Sequence, residues 1–167
     1  ILATIASDPE TDDVKRTEME LWEKIKSKSL GGRRTGLGIT AEGDMLAALG
    51  MRYGSDKAID FAVEVQKSLA VEAYRSSVNM AAERGAFPIY DTKREEHNPM
   101  IDRIRTADPA LYELMAKVGR RNISLLTIAP TGTTSLMTQT TSGIEPVFLP
   151  FYIRRRKVNP NDLNAVI

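Results

Sequence analysis

The run Asn122-Ile123-Ser124-Leu125-Leu126-Thr127-Ile128-Ala129-Pro130-Thr131-Gly132-Thr133-Thr134-Ser135 decides how this chain is read. Its first eight residues are largely apolar and partly β-branched, and they are bounded by a turn signal. That pattern predicts a short buried strand. The loop from Pro130 to Ser135 follows, and then a short helix. A strand–loop–helix junction suits anions, because a helix N-terminus leaves backbone N–H groups unpaired and carries partial positive charge. Gly132 lets a ligand approach the backbone, and the hydroxyls of Thr131, Thr133, Thr134 and Ser135 add donors. The loop has no lysine and does not match G-x-x-x-x-G-K-[ST], so it is not the usual nucleoside-triphosphatase loop. The same residues also serve as ordinary helix caps, which is their commoner use. Pattern alone leaves both readings open.

Downstream, Ser142-Gly143-Ile144-Glu145-Pro146 reads as a turn. Glu145 could act as an acid, a base or an anchor for a ligand, or it could be a surface turn acid. Val147 to Ile153 is expected to form a last extended segment. The basic run Arg154-Arg155-Arg156-Lys157 fits a solvated face or a subunit contact.

Upstream, Asp108-Pro109 opens a helix with Leu111, Leu114, Met115 and Val118 on one side and Gly119 at its end. Residues 91–99 are polar and read as loop or a short helix. His97 lies in this stretch and is assigned no role. The longest helix runs from about Lys57 to Arg84, capped by Ser55 or Asp56 and followed by Gly85. Its apolar positions recur every three or four residues, so one face is buried. Thr40 is placed to cap a short helix through Leu49. Arg34 to Ile39 is a short extended segment whose glycines suggest close approach by another backbone. A first helix follows Asp8-Pro9, and Gly31-Gly32 stops it. Trp22 on its apolar face is expected in the core. Arg33-Arg34 and Arg120-Arg121 each precede a strand-like segment, where they could reach phosphates, be solvated or pair with acids.

The 167 residues are 42% hydrophobic, which is enough for one ordinary domain with a core. Lys and Arg total 23 against 22 for Asp and Glu, so the strong basic excess of a duplex-DNA binder is missing. The absence of cysteine excludes disulfides, thiolate metal sites and cysteine nucleophiles from this stretch. A single histidine cannot build a multi-histidine metal site. No apolar run is long enough to span a bilayer. The start at Ile1 lacks the basic opening and cleavage site of a signal peptide. Both ends read as those of a piece of a longer polypeptide.

Several segments together resemble one family. The run 122–135 followed by Ser142 to Pro146 resembles the late barrel strand and phosphate loop of ribonucleotide reductase catalytic subunits. Arg34-Thr35-Gly36-Leu37-Gly38-Ile39 resembles that family's Arg-x-x-Gly-(Leu/Ile)-Gly segment. Gly50-Met51-Arg52-Tyr53-Gly54-Ser55 and Gly85-Ala86-Phe87-Pro88 also fit. The wording of Met137 to Phe148, with the basic run at Arg154, is most like the adenosylcobalamin (vitamin B12)-dependent branch.

The resemblance, which covers about Leu30 to Asp162, implies a fold and a function. The fold is α/β: a mainly helical fragment of a ten-stranded α/β barrel with a few short strands. All 167 residues would form one partial domain, the C-terminal part of that barrel. The parent would be a cytoplasmic ribonucleoside-diphosphate reductase acting in DNA synthesis. It would reduce ribonucleotides to 2′-deoxyribonucleotides by thiyl-radical chemistry, with adenosylcobalamin as cofactor. Residue by residue, Pro130, Thr131, Gly132, Thr133 and Thr134 match the substrate-phosphate loop, with Ser135 adjacent. The radical cysteine, the reducing cysteine pair and the family's Asn-x-Cys-x-Glu loop have no match here. No catalytic residue, metal ligand or cobalamin contact is therefore assigned, and the isolated chain is expected to be inactive. The expected partners are a ribonucleotide, the remainder of the reductase chain and a second copy in a homodimer, but no nucleic acid and no membrane. Rival readings are a nonenzymatic nucleotide- or phosphate-binding module and a helical interaction domain.

Overall fold

A computed structural model describes residues 1–149, 151 and 153. Among them are seven α-helices: α1 (Leu2–Ala6), α2 (Asp12–Gly32), α3 (Glu42–Ala48), α4 (Asp56–Arg84), α5 (Pro99–Ala107), α6 (Pro109–Val118) and α7 (Gly132–Thr138). A short 3-10 turn spans Thr92–Glu95. No helix among the described residues is long and apolar enough to cross a membrane.

Local chemistry sets most of the helix boundaries. The Ser55 side chain accepts from the Ala58 N–H at the start of α4, and Gly85 closes α4 with φ 79°. Asn98 and Asp108 cap α5 and α6 in the same way, accepting from the N–H of Met100 and of Leu111. Each is followed by proline, whose fixed φ and missing N–H suit a first helical position. Sequence reading recognised Asp108-Pro109 but not α5, although Asn98-Pro99 carries the same signal.

The core is where α4, α5 and α6 meet the 122–129 segment. Tyr74 and Val78 of α4 pack with Ile101 and Ile104 of α5, Leu111 and Met115 of α6, and Leu125. Several kcal/mol of apolar burial hold this layer together, at about 1.5–3 kcal/mol per fully buried large side chain.

The two expected strands are only partly realised. Residues 34–39 and 122–129 run parallel but share a single bridge, Leu37 with Leu126. The Leu37 N–H donates to Leu125 O at 2.7 Å, and the Thr127 N–H donates to Leu37 O at 3.0 Å. One step back, the Thr35 N–H reaches Ser124 O at 3.0 Å, out of the regular parallel register. That slip limits the ladder. The expected barrel sheet is thus absent from the described residues, which are mainly helical. The glycine expectation is met: a Cβ on Gly38 would lie 2.3 Å from Thr127 O.

Other expectations are corrected. The stop of α2 at Gly31-Gly32 holds, with Gly32 its last residue, but the left-handed turn expected of a glycine is taken by Arg33, with φ 49°. A Cβ on Gly32 would meet the Ile123 side chain at 3.1 Å, so the glycine serves close packing and the strained turn falls to an arginine. Trp22 is only half-buried, and Val14, Leu21 and Ile25 are exposed. The physical reason is length. α2 is roughly 30 Å long, whereas its helical partner α1 is about 8 Å long and cannot cover the stripe. Of the predicted final segment, residues 147–149 are exposed and irregular. Its remaining part and the basic run at Arg154 lie largely or wholly outside the described residues.

Candidate functional site: the loop after the 122–129 segment

The loop leaves the 122–129 segment at Ala129 and enters α7 at Gly132, earlier than the sequence pattern places the helix start. Two outer residues of the loop are turned inward. The Thr131 N–H donates to Ser142 Oγ at 3.2 Å, and the Gly143 N–H donates to Thr131 Oγ1 at 2.8 Å. Thr131 Oγ1 also lies 2.9 Å from Thr40 Oγ1 and 3.3 Å from Ser142 Oγ. Ser135 is buried, its hydroxyl donating to Gly132 O at 2.8 Å and its N–H to Thr131 O at 2.7 Å. Gly132, Thr133 and Thr134 behave differently. They are exposed, and their N–H groups have no hydrogen-bond partner among the described residues. The first N–H groups of a helix have no partner within it, so these three are left as donors on exposed residues.

Turn 141–146 buttresses the loop, and the N-terminal end of α3 buttresses the turn. Thr40 does not cap α3. Ala41 occupies the cap position with φ 65° and no side-chain bond, and Thr40 Oγ1 instead donates to Thr141 O at 3.0 Å. The Thr141 N–H donates to Asp44 Oδ2 at 2.8 Å. A Cβ on Gly43 would fall 2.6 Å from Pro146 Cα, so that helix turn and the 145–146 backbone touch directly. Thr40, Asp44 and Gly43 were not read as site residues. The cap pattern at Thr40 masked its role, because a hydroxyl before a helix has the same signature whether it bonds locally or across the fold.

The Glu145 carboxylate is exposed and accepts from the Ile144 N–H at 3.1 Å, closing its own turn. It borders a cleft of about 600 Å³ shared with Ile128, Pro130, Ser142 and Phe148. A larger apolar cleft of about 1340 Å³ opens between α4, α5 and the 126–128 stretch. Buried Glu42 lines it and accepts from Gln66 Nε2 at 3.0 Å.

None of the four candidate arginines is engaged at the loop; the contacts they make lie at the other end of the 122–129 segment. Arg120 is 2% exposed and pairs bidentately with Glu95. Its guanidinium carbon sits 5.5–5.8 Å from the ring centres of Tyr74, Phe87 and Tyr90. Burial raises the Tyr74 hydroxyl pKa above its ordinary value; the Arg120 charge opposes that shift and the Glu95 charge adds to it. Arg121 donates to Arg84 O and Gly85 O, both at 2.9 Å, and so caps the end of α4. Arg33 makes the left-handed turn described above, and Arg34 is exposed. His97 is exposed in a turn with φ 66°. The described residues contain no group of three or more His, Cys, Asp or Glu that could hold a metal ion.

Comparison with known proteins agrees with the sequence pattern. The family model for the ribonucleotide reductase barrel domain matches residues 12–166. A vitamin B12-dependent ribonucleoside-diphosphate reductase of Mycobacterium tuberculosis is 32% identical over 144 residues, covering 86% of this chain and 18% of that protein. One from Thermoplasma acidophilum is 31% identical over 133 residues, covering 79% of this chain and 15% of its own. A ribonucleoside-diphosphate reductase subunit alpha of Chlamydia pneumoniae is 30% identical over 150 residues, covering 78% of this chain and 14% of its own. The chain therefore spans less than a fifth of the length of these relatives. Ordered as it is, with the glycine-rich segment, the 122–129 run and the loop in sequence, the chain belongs to the ribonucleotide reductase barrel-domain family.

Proposed function

We propose that this chain is the part of a ribonucleotide reductase catalytic subunit that holds the phosphates of the ribonucleotide substrate, through the loop from Pro130 to Ser135. The observation that carries the reading is the row of N–H groups on three consecutive exposed residues, Gly132, Thr133 and Thr134, unpartnered among the described residues. They sit directly after a segment that lies within the family match. Thr133 and Thr134 add hydroxyls on the same exposed turn. Such donors suit phosphate oxygens without a lysine. Pro130 has no N–H to offer, and the Thr131 and Ser135 side chains are occupied internally. The ligand-facing set is therefore narrower than the motif, with the outer residues shaping the loop.

The parent enzyme, in this reading, reduces ribonucleotides to 2′-deoxyribonucleotides by thiyl-radical chemistry in the cytoplasm, with the rest of its chain and a second copy as partners. The names of the relatives from Mycobacterium and Thermoplasma favour adenosylcobalamin as cofactor. When bound, that cofactor supplies the initiating radical. Nothing among the described residues fits a cobalt ligand set: the chain has no cysteine, and its one histidine stands alone in a surface turn. No cofactor contact is placed on this chain. Its own work is binding and orientation.

The test is made in the complete reductase. The double variant Thr133→Val, Thr134→Val should raise KM for a ribonucleoside diphosphate by roughly tenfold or more, the scale expected when two hydroxyl contacts to a charged group are lost. Inhibition by the corresponding nucleoside without phosphates should be unchanged. Wild-type KM in that variant would refute the phosphate-loop reading. The isolated chain, lacking cysteine, should form no deoxynucleotide.

A further inference from the structure

We infer that Thr40 and Asp44, at the start of α3, are positioning residues for the loop, acting through Thr131 and Thr141. The inference rests on the phosphate-loop reading and adds to it two residues that no loop motif contains.

The argument is proton accounting among three hydroxyls. Each can donate one hydrogen and accept two. Thr40 Oγ1 donates to Thr141 O at 3.0 Å, which uses its only hydrogen. In the 2.9 Å contact between Thr40 and Thr131, Thr131 Oγ1 must therefore be the donor. Thr131 Oγ1 accepts from the Gly143 N–H at 2.8 Å and, at 3.3 Å, from Ser142 Oγ. Ser142 Oγ in turn accepts from the Thr131 N–H at 3.2 Å. Every hydrogen in the ring is used, and Thr131 Oγ1 is saturated with one donated and two accepted bonds. Thr131 can offer a phosphate neither its hydroxyl nor its N–H. It fixes where the next three N–H groups point.

The ring is anchored from outside the loop. Asp44 Oδ2 holds the Thr141 N–H at 2.8 Å, and the Glu42 N–H reaches Gly143 O at 3.4 Å. Thr40 and Thr131 are 91 positions apart in the chain, so only the fold brings them together. Removing the Thr40 hydroxyl takes away the acceptor for the Thr131 hydroxyl and the donor to Thr141 O, which loosens the ring that sets the register of Gly132 to Thr134. Binding geometry is sensitive to shifts of this size, since misplacement by about 1 Å is enough to cost affinity or rate.

The experiment uses the complete reductase and compares Thr40→Val, which keeps shape and deletes the hydroxyl, with Thr40→Ser, which keeps it. Thr40→Val should raise KM for a ribonucleoside diphosphate roughly five- to tenfold, the scale at which the loss of positioning hydrogen bonds is felt in binding, with kcat within about twofold. Inhibition by inorganic pyrophosphate should weaken in parallel, while inhibition by the free nucleoside should not. Thr40→Ser should restore wild-type behaviour. The Thr40→Val, Thr131→Val double variant should cost less than the sum of the two single changes, because the two hydroxyls share one contact. Unchanged KM in Thr40→Val, equal loss of nucleoside and pyrophosphate inhibition, or additive effects would each overturn the inference. If Thr40→Val does not fold, Ser142→Ala must show the same phosphate-selective loss, and its failure to do so overturns the inference as well. The Thr133→Val, Thr134→Val variant separates the two proposals. If it leaves KM at the wild-type value, both fall. If it raises KM and Thr40→Val does not, only this inference falls.

Discussion

The two ends of the 122–129 segment are both held by polar side chains, but the chemistry is opposite. At the Arg120 end the network is charged and closed over. A buried guanidinium pairs with Glu95, lies among three aromatic rings and donates to Asn122 O at 3.1 Å. Beside it, Ser77 and Asn122 bond each other, and the Asn122 amide donates to Arg33 O at 2.9 Å. At the Thr131 end the ring itself is neutral, built from hydroxyls and peptide groups with the Asp44 carboxylate one step outside it, and it opens onto the exposed residue Gly132. A buried ion pair tolerates little movement, because separating its partners strands a charge away from water. Neutral hydroxyls hold a loop while leaving its electrostatics to a row of N–H groups. The first end secures the scaffold, and the second carries the exposed residues on which the proposed phosphate contact rests.

The largest expected effect comes from breaking the charged end. Arg120→Met leaves the Glu95 carboxylate half-enclosed without its partner. We expect a loss of about 3–5 kcal/mol in urea unfolding, close to the cost of a broken buried pair. Arg120→Lys should recover little, since an ammonium cannot make the bidentate pair and also reach the Asn122 and Ile123 carbonyls. A loss below about 1 kcal/mol would erase the contrast, because that is the range of a surface ion pair.

Next comes the middle of the segment. Gly38→Ala forces a methyl group against Thr127 O, and the backbone must part. A cost of about 1–3 kcal/mol follows from overpacking. Hydrogen exchange at the Leu37 and Thr127 N–H groups should accelerate before that at α4 does. Uniform acceleration would mean that the two segments are not a separable unit.

The smallest effect is expected far from both ends, at Asp108. Its carboxyl pKa is held below the ordinary value, first by the Leu111 N–H and then by Arg75. A lowered native pKa means that its contribution is fully present above the unfolded value and is lost as pH falls through the native one. Wild type should therefore melt slightly above Asp108→Asn at neutral pH, and the gap should close below about pH 4. A gap that stays constant to pH 2 would show that the ion pair and cap do not titrate as assigned.

What could be read from the sequence follows from how local each determinant is. The α4 and α6 boundaries were legible because Ser55, Gly85, Asp108-Pro109 and Gly119 act within a few residues. The loop was legible as a motif, and the close approach at Gly38 as a glycine signal. Trp22 misled because periodicity says that a face is apolar, not that a partner exists to cover it. The stop at Gly31-Gly32 was legible but its geometry was not, because Gly32 packs against Ile123 and the left-handed turn falls to Arg33.

The sequence by itself determined the family, the helical periodicity and the six-residue motif from Pro130 to Ser135, since all of these are written in short runs of neighbouring residues, but not that α7 already begins at Gly132. Tertiary structure alone decided which of the six face outward, because Thr131 is saturated by partners at positions 40, 142 and 143. It also decided that Arg120 is a buried scaffold cation and not a phosphate ligand, since Glu95 and the rings of Tyr74, Phe87 and Tyr90 enclose it. Hydrogen-bonding capacity is finite, and only the folded chain shows where each donor's hydrogen has gone.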